Sequence, residues 1–535
     1  MPTHFVNLDA LIPREDFEVQ SGSTQTLSQL ATTMKVSELE ATSVTYNILR
    51  KPDFQRETAN WTPEKVAKFI QSYVEGDLIP SIILWRSPIS GNLFVIDGAH
   101  RLSALIAWVH DDYGDKGISI RFFENFIQPE QQEAAEATRA LVNKLVGPYA
   151  RLKVAAQHPE ASTPEEIRRG RNIGSISVQL QWVNGDALKA ESSFFKINQE
   201  ATPIDKTELR MIEARRKANA VAARAIIHSG VGHRYWSAFP QDVQDEIEKA
   251  ARDVYQILFV PPLETPIKTL DLPVAGRGYS AESVRLVFEF VNLANDIRSE
   301  ALQKGLPEDK DGLMTIEYLK KVKRIAARIS GNSSGSLGLH PAVYFYGATG
   351  RYQPTAFLAT VGMIKEFEEN NRFPYFTDHR QAFEDFILRY RYFTNQIVSV
   401  TGGWGKAYAR LMTFYKHVLV DIAAGLSDED IITRLKSING LQYLEVASEE
   451  DKRAGTNFST ETKSAAFLRE AIDSAVRCAI CGARIHRKGI SIDHAVPKRE
   501  GGTGDLDNAQ VTHPYCNGAY KEMKEARAKS DEAVA

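Results

Sequence analysis

The chain has 535 residues, too many for one hydrophobic core, so about two to four domains are expected. Its formal net charge is −3, from 65 Lys+Arg against 68 Asp+Glu, which excludes a global basic field; any nucleic-acid contact has to come from local patches. No run approaches the roughly 18 unbroken apolar residues of a membrane-spanning helix. The opening residues also lack a basic segment followed by an apolar run.

All three cysteines lie between 478 and 516, a metal-knuckle arrangement that argues for a reducing, cytoplasmic setting and against a disulfide framework.

In chain order, residues 1–45 are mixed and polar and read as a lead-in. Residues 46–260 alternate helix and strand patterns, then turn mostly helical, and read as a mixed α/β domain. Within it, Thr62-Pro63-Glu64 predicts a helix start, with threonine as N-cap and proline at the first helical position. Val66, Phe69, Ile70, Tyr73 and Val74 follow at helical spacing, and Gly76 ends the run.

Ser81–Trp85 and Leu93–Ile96 read as strands around a Ser90-Gly91-Asn92 turn. A second helix carries Leu102, Leu105, Ile106 and Val109 on one face. Pro261, Pro262 and Pro266 mark a boundary. Residues 261–460 read as a helical middle region ending in a polar linker, and 461–535 as a C-terminal module.

The C-terminal module carries the densest chemistry. Cys478-x-x-Cys481 and His513-x-x-Cys516 supply four soft or borderline ligands, a set that suits a tetrahedral structural zinc in a segment with few apolar residues. Between them, Ile490–Asp493 reads as a short strand ending in the pair Asp493-His494. A carboxylate such as Asp493 can hold Mg²⁺ or Mn²⁺. A neighbouring histidine titrates near working pH and can act as general base in phosphodiester hydrolysis. Asn517 opens a helix over about 519–528, where its amide oxygen can complete the metal site, and Asn508 is read as bracing the loop behind His494.

Asp493-His494, Pro497, Gly501-Gly502, Asp507-Asn508 and Cys516-Asn517 together resemble HNH endonucleases, a zinc-stapled ββα fold. The resemblance implies that His494 is the general base, that Asp493 and Asn517 are catalytic-metal ligands, and that Asn508 orients the site. The usual second Cys-x-x-Cys is here His513-x-x-Cys516. His513 is assigned to zinc. The alternative has it face the catalytic metal and leaves zinc three protein ligands. A zinc-ribbon binding module without catalysis is the bland reading of the same segment.

Further upstream, Asp97-Gly98-Ala99-His100-Arg101 sits at a strand-to-helix junction. Gly98 permits the turn, and the helix start that follows favours anions, phosphate above all. With Phe54-Gln55-Arg56, Trp61, Leu78–Ile82 and the later Phe195…Asn198…Glu208…Arg210, it resembles the ParB-like DGQQR domain of GmrSD- and SspE-type restriction proteins. The motif is closer to the DGQHR variant of DndB-like proteins. That likeness implies a nucleotide-binding or DNA-modification-sensing domain, with Gln55, Arg56, Asp97, Gly98, His100, Arg101 and Asn198 lining its pocket. A nucleoside triphosphate is the implied ligand. The absence of the motif's glutamine leaves hydrolysis open.

Lys320, Lys321, Lys323 and Arg324 crowd one helix and form a weak DNA-tracking candidate, against the plainer reading of a solvated face. Thr401–Lys406 fails the P-loop spacing.

The fold expected is a mixed α/β ParB-like domain, a helical middle region and a ββα-metal module. The function expected is DNA endonuclease action in bacterial defence on foreign or modified DNA. One metal site per module makes nicking the elementary event and makes a homodimer a reasonable assembly. Two other readings stand beside it: a triggered, non-specific DNA- or RNA-degrading effector, and a nucleotide-operated DNA-binding switch with an inactive zinc module.

Overall fold

The computed structural model describes residues 5–17, 30–55, 57–200, 206–278, 280–401, 404–446 and 457–526. The chain forms two compact units. The first comprises Met1–Gln244, Tyr279–Arg285 and Pro307–Gly312; the second comprises Asp245–Gly278, Leu286–Leu306 and Leu313–Ala535. No described helix is long and apolar enough to cross a membrane.

The first unit is built on six strands: β1 (Arg14–Glu15), β2 (Thr33–Lys35), β3 (Leu49–Pro52), β4 (Ile82–Arg86), β5 (Leu93–Asp97) and β6 (Ser177–Trp182). Their order is β1-β3-β5-β4-β6-β2. β1, β3 and β5 run parallel. β4 is antiparallel to β5 and parallel to β6, and β2 closes the far edge antiparallel to β6.

Side chains alternate across the pleat. Leu84 and Val95 join a large core with the helices Pro63–Glu75 and Ala99–His110. Trp85, Phe94 and Ile96 face a smaller aromatic cluster with Phe17, Phe54 and Phe194. With both faces covered, β5 reads as a continuous apolar run. The helix signals resolve as expected: Thr62 Oγ1 accepts the Lys65 amide, Pro63 opens the helix, and Gly76 ends it at φ +85°.

Residues 6–12, with Arg14 and Phe17, lie in this unit's interior. Val6, Leu8, Leu11 and Ile12 lie in the core, and Arg14–Glu15 extends the sheet. Their polar neighbours are buried in a charge cluster. Asp9 accepts from Lys51 Nζ at 2.5 Å, from Arg14 Nη2 at 3.1 Å and from Thr58 Oγ1 at 3.1 Å. Burial alone would raise the Asp9 carboxyl, but Lys51 and Arg14 hold it well below the ordinary carboxylate range.

The second unit centres on the helix pair Pro354–Glu369 and Trp404–Ala423, flanked by Leu313–Ile329, Phe373–Arg389 and Tyr392–Thr401. At its C-terminal end, β7 (Ser491–His494) and β8 (Ala509–Thr512) form an antiparallel pair, followed by a π-wound turn at Cys516–Tyr520 that runs on as α-helix to 526. The fold is mixed α/β with a helical region and a small two-stranded metal-module end.

This end is bonded to the helices. Tyr515 N donates to Ser336 O at 2.9 Å, and Tyr520 Oη bonds Asp378. Gly338 lies against Gly489 so closely that a Cβ on Gly489 would stand 2.6 Å from the Gly338 Cα, and only glycine fits.

Two predictions follow from buried charge. Asp9→Ala leaves Lys51 and Arg14 buried without their carboxylate, a change expected to cost about 3–5 kcal/mol. A thermal melt matching wild type would contradict this.

In the second unit His340 and His486 are buried with rings 5.5 Å apart. Burial, with Lys488 and Arg487 nearby, pushes His486 down to about 3, although Asp271 Oδ1 lies 3.4 Å from its Nε2. Burial also holds His340 well below 6.5. Unfolded histidines bind protons below about 6.5 that these do not, so stability is fully present above that pH. It falls as pH drops, by up to about 1.4 kcal/mol per pH unit for each histidine. A denaturation series from pH 7.5 to 5 on wild type and His486→Gln checks this; the acid slope should flatten in the variant.

Candidate functional site

The C-terminal pair β7/β8 and its flanking knuckles bring four ligand atoms together. Cys478, Cys481, His513 and Cys516 present theirs within 4.8 Å of one another. Cys481 Sγ lies 3.4 Å and Cys516 Sγ 3.9 Å from His513 Nδ1. The other ring nitrogen of His513, Nε2, donates to Arg484 O at 3.1 Å. This bond fixes the tautomer and leaves Nδ1 as the lone-pair donor facing the sulfurs.

Crowding sets the thiols against each other. Hydrogen bonds from Cys481 and Cys516 pull Cys478 far down, while Cys481 is pushed up to about 12, first by Cys478. Three thiols and an imidazole packed this way make a closed N/S set of the kind structural zinc takes.

The frame behind His513 comes from a helix more than a hundred residues upstream. Arg484 N donates to Glu384 Oε2 at 3.0 Å. Glu384 is fully buried and also accepts from Arg380 Nε at 2.8 Å and Tyr344 Oη at 3.1 Å. Arg380 in turn donates to Leu337 O at 2.6 Å and Gly338 O at 3.3 Å. The ligand's orientation is thus tied through one backbone unit to a buried ion pair in the Phe373–Arg389 helix.

On the strand pair, Asp493 is buried, and its Oδ2 accepts from Gln510 Nε2 at 2.7 Å and Lys521 Nζ at 2.8 Å. Its Oδ1 has no hydrogen-bond donor among the described residues. Lys521 Nζ also donates to His494 O at 2.6 Å, so one ammonium ties both residues of the Asp-His pair. The His494 ring is half-buried and unpartnered among the described residues.

Asn508 holds the loop that follows. Its Oδ1 accepts from Val496 N at 2.7 Å, its Nδ2 donates to Val496 O and Thr503 O, and its carbonyl accepts from Ala495 N. Asn517 Nδ2 donates to Ser491 Oγ at 2.7 Å and Ile492 O at 3.3 Å, which leaves its amide oxygen available. A hard divalent cation takes oxygen donors of this type, and the available Asp493 and Asn517 oxygens fit it.

Lys521 and Gln510 were not singled out from sequence. Lys521 lies four residues beyond Asn517, a spacing that places helix residues on one side and was readable in principle.

In the first unit, β3 and β5 are parallel neighbours; Gln55 follows β3, Asp97 ends β5, and Gly98, His100 and Arg101 follow it. Asp97 Oδ2 pairs with Arg101 Nη2 at 2.5 Å, and the His100 ring stacks on Trp61 at 5.6 Å. Gly98 has φ +93°, and a Cβ there would stand 2.5 Å from Ile82 Cδ1. Gln55 faces elsewhere, into a small cavity of about 30 Å³ shared with Glu57 and Arg224. His228 bonds Glu57 at 3.0 Å beside that cavity. Arg56 and the Asn198 side chain lie outside the described residues.

The basic helix is matched throughout: Lys320 with Glu246, Lys321 with Glu317, Lys323 with Asp253 and Arg324 with Glu368, at 2.6–3.4 Å. All four cations remain solvent-exposed in these pairs.

Residues 39–213 match the family model described as GmrSD restriction endonuclease, N-terminal domain. Residues 478–522 match the HNH endonuclease family. No curated protein and no solved structure gives a match.

Cys478→Ala removes one of four ligands from a segment whose folding depends on them. Loss of bound zinc and of the cooperative melt of this segment is expected, measured by metal analysis and calorimetry. Full zinc with an unchanged melt would refute the assignment.

Proposed function

We propose that this chain, which joins a GmrSD restriction endonuclease N-terminal domain to an HNH endonuclease, is a metal-dependent DNA endonuclease of restriction-type defence, its cutting controlled by the N-terminal domain. The nuclease class follows from the two domains. The observation that carries the chemistry is the buried Asp493 carboxylate, with one oxygen held by Lys521 and Gln510 and the other open, beside the unpartnered ring of His494.

Phosphodiester hydrolysis needs an activated water, positive charge at the phosphate and relief of charge on the leaving oxygen. The His494 imidazole takes the proton of the attacking water as general base. Asn508, by pinning Ala495 and Val496, fixes the backbone just after that histidine. Lys521 Nζ donates to one oxygen of Asp493 and leaves the other free. A divalent cation, Mg²⁺ or Mn²⁺, held by the open oxygens of Asp493 and Asn517 would supply the charge neutralisation. Zinc at Cys478, Cys481, His513 and Cys516 is structural, because protein atoms fill all four positions.

Control is assigned to residues 46–260, at the carboxyl-terminal edge of the parallel strands where ligands of open α/β sheets bind. Asp97 holds Arg101 at the start of the Ala99–His110 helix, whose positive end favours anions. A nucleotide phosphate or a modified DNA backbone arriving there competes with Asp97 for Arg101. The remaining domains in this reading are the helical region 261–460 and the HNH module 461–535. A homodimer would let two nicks become a double-strand break.

Plasmid nicking with Mg²⁺ or Mn²⁺ tests this. His494→Ala should lower the rate by about 10²–10⁴-fold. Arg101→Ala should keep basal nicking while losing any response to nucleoside triphosphate and losing protection against phage. Equal cutting by wild type and His494→Ala would sink the catalytic assignment.

A further inference from the structure

The second unit contains a cavity of about 620 Å³ that no step of the nuclease chemistry uses. Its walls come from the C-terminal end of the Phe373–Arg389 helix and one side of the Thr460–Asp473 helix, together with Arg391 and Arg484. Four arginines line it against two aspartates, an excess of positive charge in a chain that is net negative.

Two of those arginines are accounted for. Arg484 Nη1 pairs with Asp385 at 2.7 Å and its Nε donates to Ile472 O at 3.0 Å, while Arg389 pairs with Asp428. Arg469, on the rim, is about three-quarters exposed beside Glu470.

Arg391 differs from them. Its one hydrogen bond is from Nη2 to Ala342 O at 3.2 Å, and its Nε is buried without a partner. Among the described residues it has no carboxylate within ion-pair distance, although Asp473 lines the same cavity. Burial, and then the neighbouring Arg484, push its guanidinium down to about 10. A charged group desolvated without a counter-ion is costly, and natural proteins rarely keep one unless something pairs with it.

We infer that this cavity binds a small phosphate-bearing molecule of mononucleotide size, with its phosphate on Arg391. A phosphate matches the planar fork of a guanidinium and supplies the missing counter-charge. Leu388, Leu468, Ile472 and Ala465 give the apolar surface on which a base or similar group rests. The volume lies in the ordinary range for small-molecule sites, about 300–1,000 Å³. Arg484, which bounds the cavity, also offers the carbonyl that orients His513, so an occupant lies one residue from the metal knuckle.

The test is calorimetric titration of the full-length protein with orthophosphate, adenosine and adenosine 5′-monophosphate. Wild type should bind orthophosphate, and the monophosphate more tightly than either orthophosphate or adenosine. Arg391→Gln should weaken monophosphate binding by about tenfold or more. Ala466→Trp, which fills the cavity from an exposed position on its wall, should do the same with an unchanged melt. Arg101→Ala, in the other unit, removes the anion site proposed there, and the weakening caused by Arg391→Gln should persist in that background. Wild-type affinity in both cavity variants overturns the site, as does failure of wild type to bind orthophosphate and monophosphate. Loss in Arg101→Ala with retention in Arg391→Gln also overturns it, and assigns the phosphate to the first unit.

Discussion

The bond from His513 Nε2 to the Arg484 carbonyl is the constraint on which the C-terminal site depends. It decides which ring nitrogen faces the cysteines. It also passes the orientation of that ligand to a buried ion pair, because the amide of the same Arg484 is held by Glu384. A two-stranded sheet of four residues per strand is marginal alone in water. Here it gains order from two sources, the ligand quartet on one side and the Arg380–Glu384 pair on the other. The close Gly338–Gly489 contact belongs to the same join and explains why no larger side chain sits at either position.

The strand pair then needs little to become a reactive edge. Asp493 is buried, with one oxygen held by an ammonium and an amide and the other left over. Charge is held ready before any substrate arrives, which is the general route by which active sites lower the cost of developing charge. The first unit holds a comparable pair, in which Asp97 binds Arg101 at a helix start.

What the sequence revealed and what it hid divide along chain distance. The knuckles, the Asp-His pair and Asn508 were legible because their spacing is local and their chemistry narrow. The Pro63–Glu75 helix was legible because its cap, proline and terminal glycine stand next to it. The Arg380–Glu384 support was invisible, since nothing local links residue 384 to 484.

The burial of residues 6–12 and Arg14 was hidden for a related reason: Asp9 and Arg14 look like surface residues until Lys51 and Thr58 are brought to them. The basic helix shows the converse. Its cations were plain in the sequence, while the carboxylates that match three of them, Glu246, Asp253 and Glu368, lie 44 to 74 positions away. Lys521 needed the π-wound turn at Cys516–Tyr520 as well as helical spacing to reach Asp493.

The central claim is that this end of the chain holds two metal centres with separate duties, one structural and one catalytic. Mild chelation of the purified protein followed by metal analysis and plasmid nicking tests it most directly. The account predicts that about one zinc per chain survives while nicking is lost, and that Mg²⁺ or Mn²⁺ alone restores cutting. Loss of zinc and cutting together, with activity restored by zinc and not by Mg²⁺ or Mn²⁺, would contradict it.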